Sequence, residues 1–337
     1  MRQLLLLVLA IAACTSSNGA TTGDDNGGSS GGTNGGSDGG GVTGGGSDPG
    51  GGSDGSGGTQ GSGSGITTSS DLVFAVVGDT RPSSIDDTTN YPTSIITKIF
   101  EDIQNASPKV QFAIGTGDYQ YASTTGSEQA PQIAKYMTAR AGFSGPFYPA
   151  MGNHECTGFT DSNCGTGNTD GVTKNLTAFL STMLGPISET KPYYVENVAA
   201  SDSSWTAKLV FIACNAWDST QASWLTQQLA VSTTYTFVVR HESAADMSGT
   251  KCSASQTTVS AHPLTLLIVG HTHEYSHEAS EKEIINGLGG APLTSGTNYG
   301  YTILTRNSDG TVTVTTYEYQ SGSVIDTFKI KADGTAA

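Results

Sequence analysis

Five short apolar runs in this chain each lead into a residue that can bind a metal or move a proton. No other feature constrains the fold as strongly. The runs are Leu72 to Val77, Val110 to Ile114, Pro146 to Met151, Tyr235 to Val239 and Leu264 to Val269. Most are rich in Val, Ile, Leu and Phe at successive positions, the pattern of a strand covered on both faces. They lead into Gly78-Asp79-Thr80-Arg81, Gly117-Asp118-Tyr119-Gln120-Tyr121, Gly152-Asn153-His154-Glu155, Arg240-His241 and Gly270-His271-Thr272-His273. Open α/β sheets hold ligands beyond the C-terminal ends of their strands. These groups are therefore expected to meet in one cleft, with the preceding glycines permitting the tight turns that aim them.

The segments between the runs fit the same class. Ile95, Ile96, Ile99, Phe100 and Ile103 recur at helical spacing and predict a helix over residues 92–106. The order strand, helix, strand from Leu72 to Ile114 predicts parallel pairing with a right-handed crossover. A further strand is expected over residues 208–214, then a helix over 221–229 carrying Trp224, Leu225 and Leu229. From Tyr301 onward, two β-rich runs separated by Asn307-Ser-Asp-Gly310 predict a hairpin or meander. Alternating helices and strands make an α/β sandwich the natural class.

Composition divides the chain in two. Of its 45 glycines, 23 fall between Gly19 and Gly65. Residues 15–66 carry five Asp, no Lys or Arg and almost nothing apolar, so they cannot offset the entropy of ordering. As a random coil such a linker of about 50 residues spans roughly 40 Å. Ahead of it stand Met1-Arg2-Gln3, an apolar segment from Leu4 to Ala13, and Ile11-Ala12-Ala13-Cys14, which resembles a bacterial lipobox. The expected organisation is a lipoprotein signal peptide over 1–13, a lipidated Cys14 with a linker to 66, and one globular domain over 67–337. An ordinary signal cleaved near an Ala is the alternative. On the first reading the protein is exported and lipid-anchored to a bacterial membrane, with its domain extracytoplasmic.

From Thr67 the chain holds 25 acidic and 14 basic residues, without a basic run. No nucleic-acid binding is expected of such a surface, because phosphate neutralisation needs Lys and Arg. Once Cys14 is set aside, Cys156, Cys164, Cys214 and Cys252 remain, an even number in an exported chain. Cys156 and Cys164 flank a loop and are the favoured pair, whereas Cys214 can equally be a buried free thiol.

Carboxylates, an amide and imidazoles together suit Zn, Mn or Fe better than Mg or Ca. Six or seven such groups exceed the needs of one ion and match a two-metal site. A two-metal site of this kind favours hydrolysis of a phosphate ester.

The five motifs resemble those of the calcineurin-like metallophosphoesterases. Gly117-Asp118-x-x-Tyr121, Gly152-Asn153-His154-Glu155, Val238-x-x-His241 and Gly270-His271-x-His273 are similar to the purple acid phosphatase versions. Gln221-x-x-Trp224-Leu225 and the turn Gly287-Leu-Gly-Gly290 fit the same resemblance. It implies a four-layer αββα sandwich and two metal ions per chain (Fe, Zn or Mn). By position, Asp79, Asp118, Tyr121 and His273 would hold the first ion. Asp118 (bridging), Asn153, His241 and His271 would hold the second, and His154 would protonate or stabilise the leaving oxygen.

Arg81 departs from the family, most of which carries a metal-binding His there, or Gly in the purple acid phosphatases. A guanidinium does not bind metals but can grip phosphate through a two-pronged fork. Arg81 is therefore expected to bind substrate while Tyr121 supplies the missing ligand. The plainer alternative pairs Arg81 with a nearby acid and leaves Tyr121 to pack. His262 and His277 read as packing residues. Lys251 is a weak stand-in for the substrate-side His that purple acid phosphatases carry after Val-x-x-His. The resemblance implies a phosphoesterase acting on small-molecule phosphate esters, monoesters first, by attack of a metal-bound hydroxide, and the lipobox-like segment adds that it is exported and membrane-tethered. Phosphodiesterase or nucleotidase activity is the alternative within the enzyme class. A catalytically idle, metal-containing surface-binding lipoprotein is the alternative outside it.

Overall fold

The computed structural model describes residues 66–68, 71–296 and 298–337. The signal segment, Cys14 and the linker up to residue 65 lie outside the described residues. In chain order the elements are β1 (Ile66–Thr68), β2 (Val73–Val77), α1 (Thr93–Asn105), β3 (Phe112–Gly115), α2 (Gln129–Ala139), β4 (Phe147–Pro149), α3 (Lys174–Phe179), β5 (Tyr194–Ala200) and β6 (Thr206–Phe211). They continue with α4 (Ser219–Ala230), β7 (Tyr235–Val239), α5 (Ser253–Ser260), β8 (Leu266–Val269), β9 (Tyr275–Glu278), β10 (Glu283–Asn286), β11 (Gly300–Arg306), β12 (Val312–Glu318) and β13 (Val324–Ile330).

The strands form two sheets. One has seven strands in the order β1-β5-β6-β7-β8-β10-β9, the other six in the order β13-β12-β11-β2-β3-β4. The expected β2-α1-β3 unit is present and its strands pair in parallel. β6, β7 and β8 are also parallel neighbours. The tail is an antiparallel meander, β11 to β13, whose first hairpin turns at Asn307–Gly310 as the sequence predicts.

Both sheets are covered on two faces, which is why their central strands read as unbroken apolar runs. Phe74 stacks on Phe112 within the six-stranded sheet and meets Phe237 of the other sheet edge-on at 5.1 Å. On the outer face of the six-stranded sheet, α1 buries Ile96, Ile99, Phe100 and Ile103. On the outer face of the seven-stranded sheet, Leu225 and Leu229 of α4 and Val259 of α5 join Val210, Val238 and Leu267. The layers are therefore α, β, β, α, the expected sandwich.

Some boundaries differ from the sequence reading. The strand expected over 208–214 ends at Phe211, and Cys214–Ala216 forms a helical turn. There Gln221 accepts from Ala213 N at 2.9 Å and donates to the carbonyls of Ala213 and Ala216 at 3.0 Å. This glutamine of the Gln-x-x-Trp-Leu motif is a fastener between β6 and α4. Strand β4 is only three residues long. Helices α2, α3 and α5 and strands β1, β5, β9 and β10 have no counterpart in the sequence reading. Cys156 bonds Cys164, and Cys214 bonds Cys252, so the open question over Cys214 resolves to a disulfide.

Candidate metal centre

Four of the nominated side chains leave their strands through a backbone conformation that ordinary geometry disfavours. Asp79, Asp118, His271 and His273 all have positive φ, between 52° and 74°. L-residues with a side chain enter this region rarely, and it is a form of strain that concentrates at functional sites. Glycines make room for these turns. A Cβ on Gly117 (φ 112°) would stand 2.7 Å from both Gly152 N and His241 Nδ1. A Cβ on Gly270 would stand 2.3 Å from Asp79 Oδ2.

The turns bring together side chains from β2, β3, β4, β7 and β8. Asp79, Asp118 and His273 each offer a ligand atom, all within 4.8 Å of one another. His273 Nε2 is 3.5 Å from Asp79 Oδ1. His241 Nε2 lies 3.0 Å from Asn153 Oδ1, 3.2 Å from Asp118 Oδ1 and 3.2 Å from His271 Nδ1.

Backbone carbonyls fix the orientation of two rings. His241 Nδ1 donates to Thr116 O at 2.8 Å, and His273 Nδ1 donates to Pro292 O at 2.8 Å. Each Nε2 is thereby turned inward, the arrangement that orients metal-binding imidazoles. Two imidazole nitrogens 3.2 Å apart, facing a carboxylate and an amide oxygen, form a nest of lone pairs that needs a positive charge. The donor set fits divalent or trivalent transition metals.

The charges gathered here shift one another's titration in opposite directions. Burial would lower His241, but Asp118 and Asp79 outweigh it and hold it well above the usual histidine value. Burial would likewise raise Asp118, yet His241, His154 and Arg81 hold it well below the carboxylate range. Burial pushes Asp79 up to about 6.

Tyr121 and Arg81 share one wall of the cleft. The Arg81 guanidinium lies 4.7 Å from the centre of the Tyr121 ring, and its Nε is 3.6 Å from Asp118 Oδ2. The Tyr121 ring also packs edge-on against His154 at 4.5 Å. His154 has its Nε2 3.7 Å from Asp118 Oδ2, and its backbone N donates to Asp118 Oδ1 at 3.2 Å. His277 stacks on Phe328 at 3.5 Å, and His262 bonds Thr258 O through Nδ1 at 2.8 Å, both packing contacts as expected. Lys251 is exposed.

Several contributors were not singled out in the sequence. The Glu155 carboxylate accepts from Asp118 N at 2.8 Å, Tyr119 N at 2.9 Å and Gly152 N at 2.8 Å. It ties together the two turns that carry Asp118 and Asn153. Burial, then the neighbouring Asp118, pushes Glu155 up to about 8 against these three donors. Asn175 donates to His154 O at 3.0 Å and Ala122 O at 2.9 Å. The Gly287–Gly290 turn, already marked by the sequence, backs Asp79, with Gly289 N bonded to Gly78 O at 2.7 Å and Ala291 N to Asp79 O at 2.8 Å. Glu155 stands inside a recognisable motif, but nothing in the pattern says that it turns inward. Thr116, Asn175 and Pro292 leave no sequence signal at all.

The architecture resembles that of a purple acid phosphatase from seeds of yellow lupin (Lupinus luteus), with a TM-score of 0.54 and 17% identity. That match covers 80% of this chain and 56% of the lupin chain, so the chain spans little more than half the length of that relative. It is also similar to GAP50, the anchor in the inner membrane complex of Plasmodium, with a TM-score of 0.55 and 17% identity over 78% of this chain and 89% of that one. At such identities the likeness concerns the fold alone. No curated protein matches the sequence. Residues 72–275 match the family model for calcineurin-like phosphoesterases, a span that runs from the threshold of β2 to the first residue of β9 and takes in every nominated ligand. The chain therefore belongs to the calcineurin-like phosphoesterases, a family of metal-dependent phosphoric ester hydrolases.

Proposed function

We propose that this protein hydrolyses phosphate monoesters at a two-metal centre. In this reading Asp79, Asp118, Tyr121 and His273 hold one ion, and Asp118, Asn153, His241 and His271 hold the other. The observation that carries it is the 3.2 Å approach of His241 Nε2 to both His271 Nδ1 and Asp118 Oδ1, with Asn153 Oδ1 at 3.0 Å. Ions so held would supply Lewis acidity and lower the pKa of water.

The chain's own groups do the rest. Arg81 is cationic, stacked on Tyr121 and set beside Asp118, where its fork can take a phosphate oxygen. His154 faces the same carboxylate and is placed to donate a hydrogen bond to the leaving oxygen. Burial pushes it down to about 4, so its ring is neutral at pH 7. It acts as a neutral donor there.

Chelator-reversible hydrolysis of para-nitrophenyl phosphate, compared with its bis ester, tests the reading. Turnover of the monoester alone supports it, and faster turnover of the bis ester favours a phosphodiesterase. Arg81→Ala should raise KM about tenfold with little change in kcat, and an unchanged KM would remove the phosphate role. A second reading, a metal-containing binding lipoprotein without turnover, draws support from the comparable fold similarity to GAP50, an anchor protein. Two bound ions with no hydrolysis of either ester would favour it. Export and membrane tethering through Cys14 rest on the lipobox-like segment. Incorporation of a labelled fatty acid, abolished by Cys14→Ala, is the corresponding measurement.

A further inference from the structure

The loop that follows Gly-Asn-His-Glu is pinned at many points, yet it holds an aromatic ring out in water. Cys156 and Cys164 close it covalently. The Asn215 side-chain amide reaches the carbonyls of Phe159, Thr160 and Ser162 at 3.0 to 3.3 Å. Cys164 N donates to Asn215 O at 2.7 Å. The proposed ligand Asn153 donates through Nδ2 to Gly158 O at 2.6 Å. The backbone here has little freedom, so the exposure of its side chains is set by the fold rather than by local slack.

Phe159 is 70% exposed, the highest value among the exposed large apolar residues described. Its position matters more than its exposure. It follows Gly158, whose carbonyl is held by Asn153, and a Cβ on Gly158 would stand 3.4 Å from His154 Nδ1. Phe159 thus stands one residue beyond the point where this loop meets both the Asn153 amide and the His154 ring. Ile85 and Val172, 54% and 59% exposed, sit on neighbouring loops. Asp86, next to Ile85, bonds Tyr121 O at 2.8 Å, and Thr173, next to Val172, bonds Cys156 O at 3.0 Å. Scattered surface apolar residues are ordinary. An exposed aromatic on a pinned loop, one residue from the contacts to Asn153 and His154, can meet what a leaving oxygen carries.

We propose that Phe159 forms the leaving-group subsite of this centre and selects phosphate esters whose leaving group carries a flat apolar ring. The inference rests on the phosphoesterase reading above. In the reaction, water adds to phosphorus and the bond from phosphorus to the ester oxygen breaks. The oxygen leaves with a proton, giving the ring-bearing phenol or alcohol and inorganic phosphate.

Binding of two non-hydrolysable probes, phenylphosphonate and methylphosphonate, to the metal-loaded full chain tests this by calorimetry. Wild type should prefer the phenyl compound, and Phe159→Ala should reduce that preference about tenfold, the worth of one aromatic contact. Phe159→Leu should lose part of it, and Val231→Ala, an exposed apolar residue just past α4, should leave it intact. An unaltered preference in Phe159→Ala, no preference in wild type, or an equal loss in Val231→Ala overturns the subsite. If the phenyl preference behaves as expected while no phosphate ester is turned over, the subsite stands and the hydrolase reading fails.

Discussion

The two halves of the metal cradle are built to different standards. Around His241 the donor atoms already sit about 3 Å apart, with His241 fixed by Thr116 O and Asn153 by Gly158 O. Around Asp79 the contacts are looser, with His273 Nε2 at 3.5 Å, and the Tyr121 ring also supports Arg81 and His154. In the first half His241 and Asn153 are buried and His271 is partly exposed. The second half shares its wall with the groups proposed to handle substrate. A site divided in this way can hold one ion rigidly and leave the coordination of the other adjustable.

Asp118 belongs to both halves, so its loss should have the largest effect. Asp118→Asn is expected to lower turnover by at least about 10³-fold and to remove both ions, as read by metal analysis alongside the assay. Retention of two ions would break the picture of a shared carboxylate.

Glu155→Gln should come next. An amide has one accepting oxygen, and its NH₂ would face backbone N–H groups that now meet a carboxylate. Metal affinity should fall about 10- to 100-fold, the usual effect of losing a group that orients a ligand. The ion bound by Asn153, His241 and His271 should weaken most. Binding isotherms that match wild type would show that the backbone holds these turns unaided.

Tyr121→Phe sharpens the contrast between the halves directly. Removing only the hydroxyl should weaken the Asp79-side ion by about tenfold and leave the other within about twofold, if the phenol is a ligand. Equal affinities in both proteins would reduce Tyr121 to its packing role against Arg81 and His154. With Fe(III) bound, the same substitution should remove a tyrosinate charge-transfer band.

The smallest effect concerns a buried acid outside the cradle. Glu196 has a buried oxygen without a hydrogen bond, and burial, with Glu189 beside it, pushes it up to about 7. The folded state therefore keeps this proton to higher pH than the unfolded chain does. The stability it contributes is full in acid, below the unfolded value, and is lost as pH rises through about 7. Glu196→Gln should raise the thermal midpoint by ~3 °C at pH 8 and by less at pH 4. An identical shift at both pH values would show that the carboxyl does not titrate in this range.

Much of the fold was legible because its strands are covered on both faces. That burial turns β2, β3, β7 and β8 into apolar runs with sharp ends, and α1 shows a clean helical stripe. Strand β5 was not, since Glu196 and Asn197 interrupt its apolar pattern. Helix α2 was hidden by glutamines that point inward, where Gln132 accepts from Tyr121 N at 2.6 Å and donates to Tyr121 O at 3.2 Å. β9 and β10 are short, and β9 is only partly covered.

The sequence alone determined which residue types stand at the strand ends, because a glycine next to a carboxylate, amide or imidazole is a local and covalent fact. It also determined that these ends lie on one side, because parallel strands joined by crossovers point the same way. Only the tertiary structure decided that His241 meets His271 across 30 positions and that Glu155 grips two turns at once. It also decided that Arg81 rests on Tyr121. Those contacts depend on distances of a few ångströms between chain segments far apart in sequence, and no pattern of residue types encodes such distances.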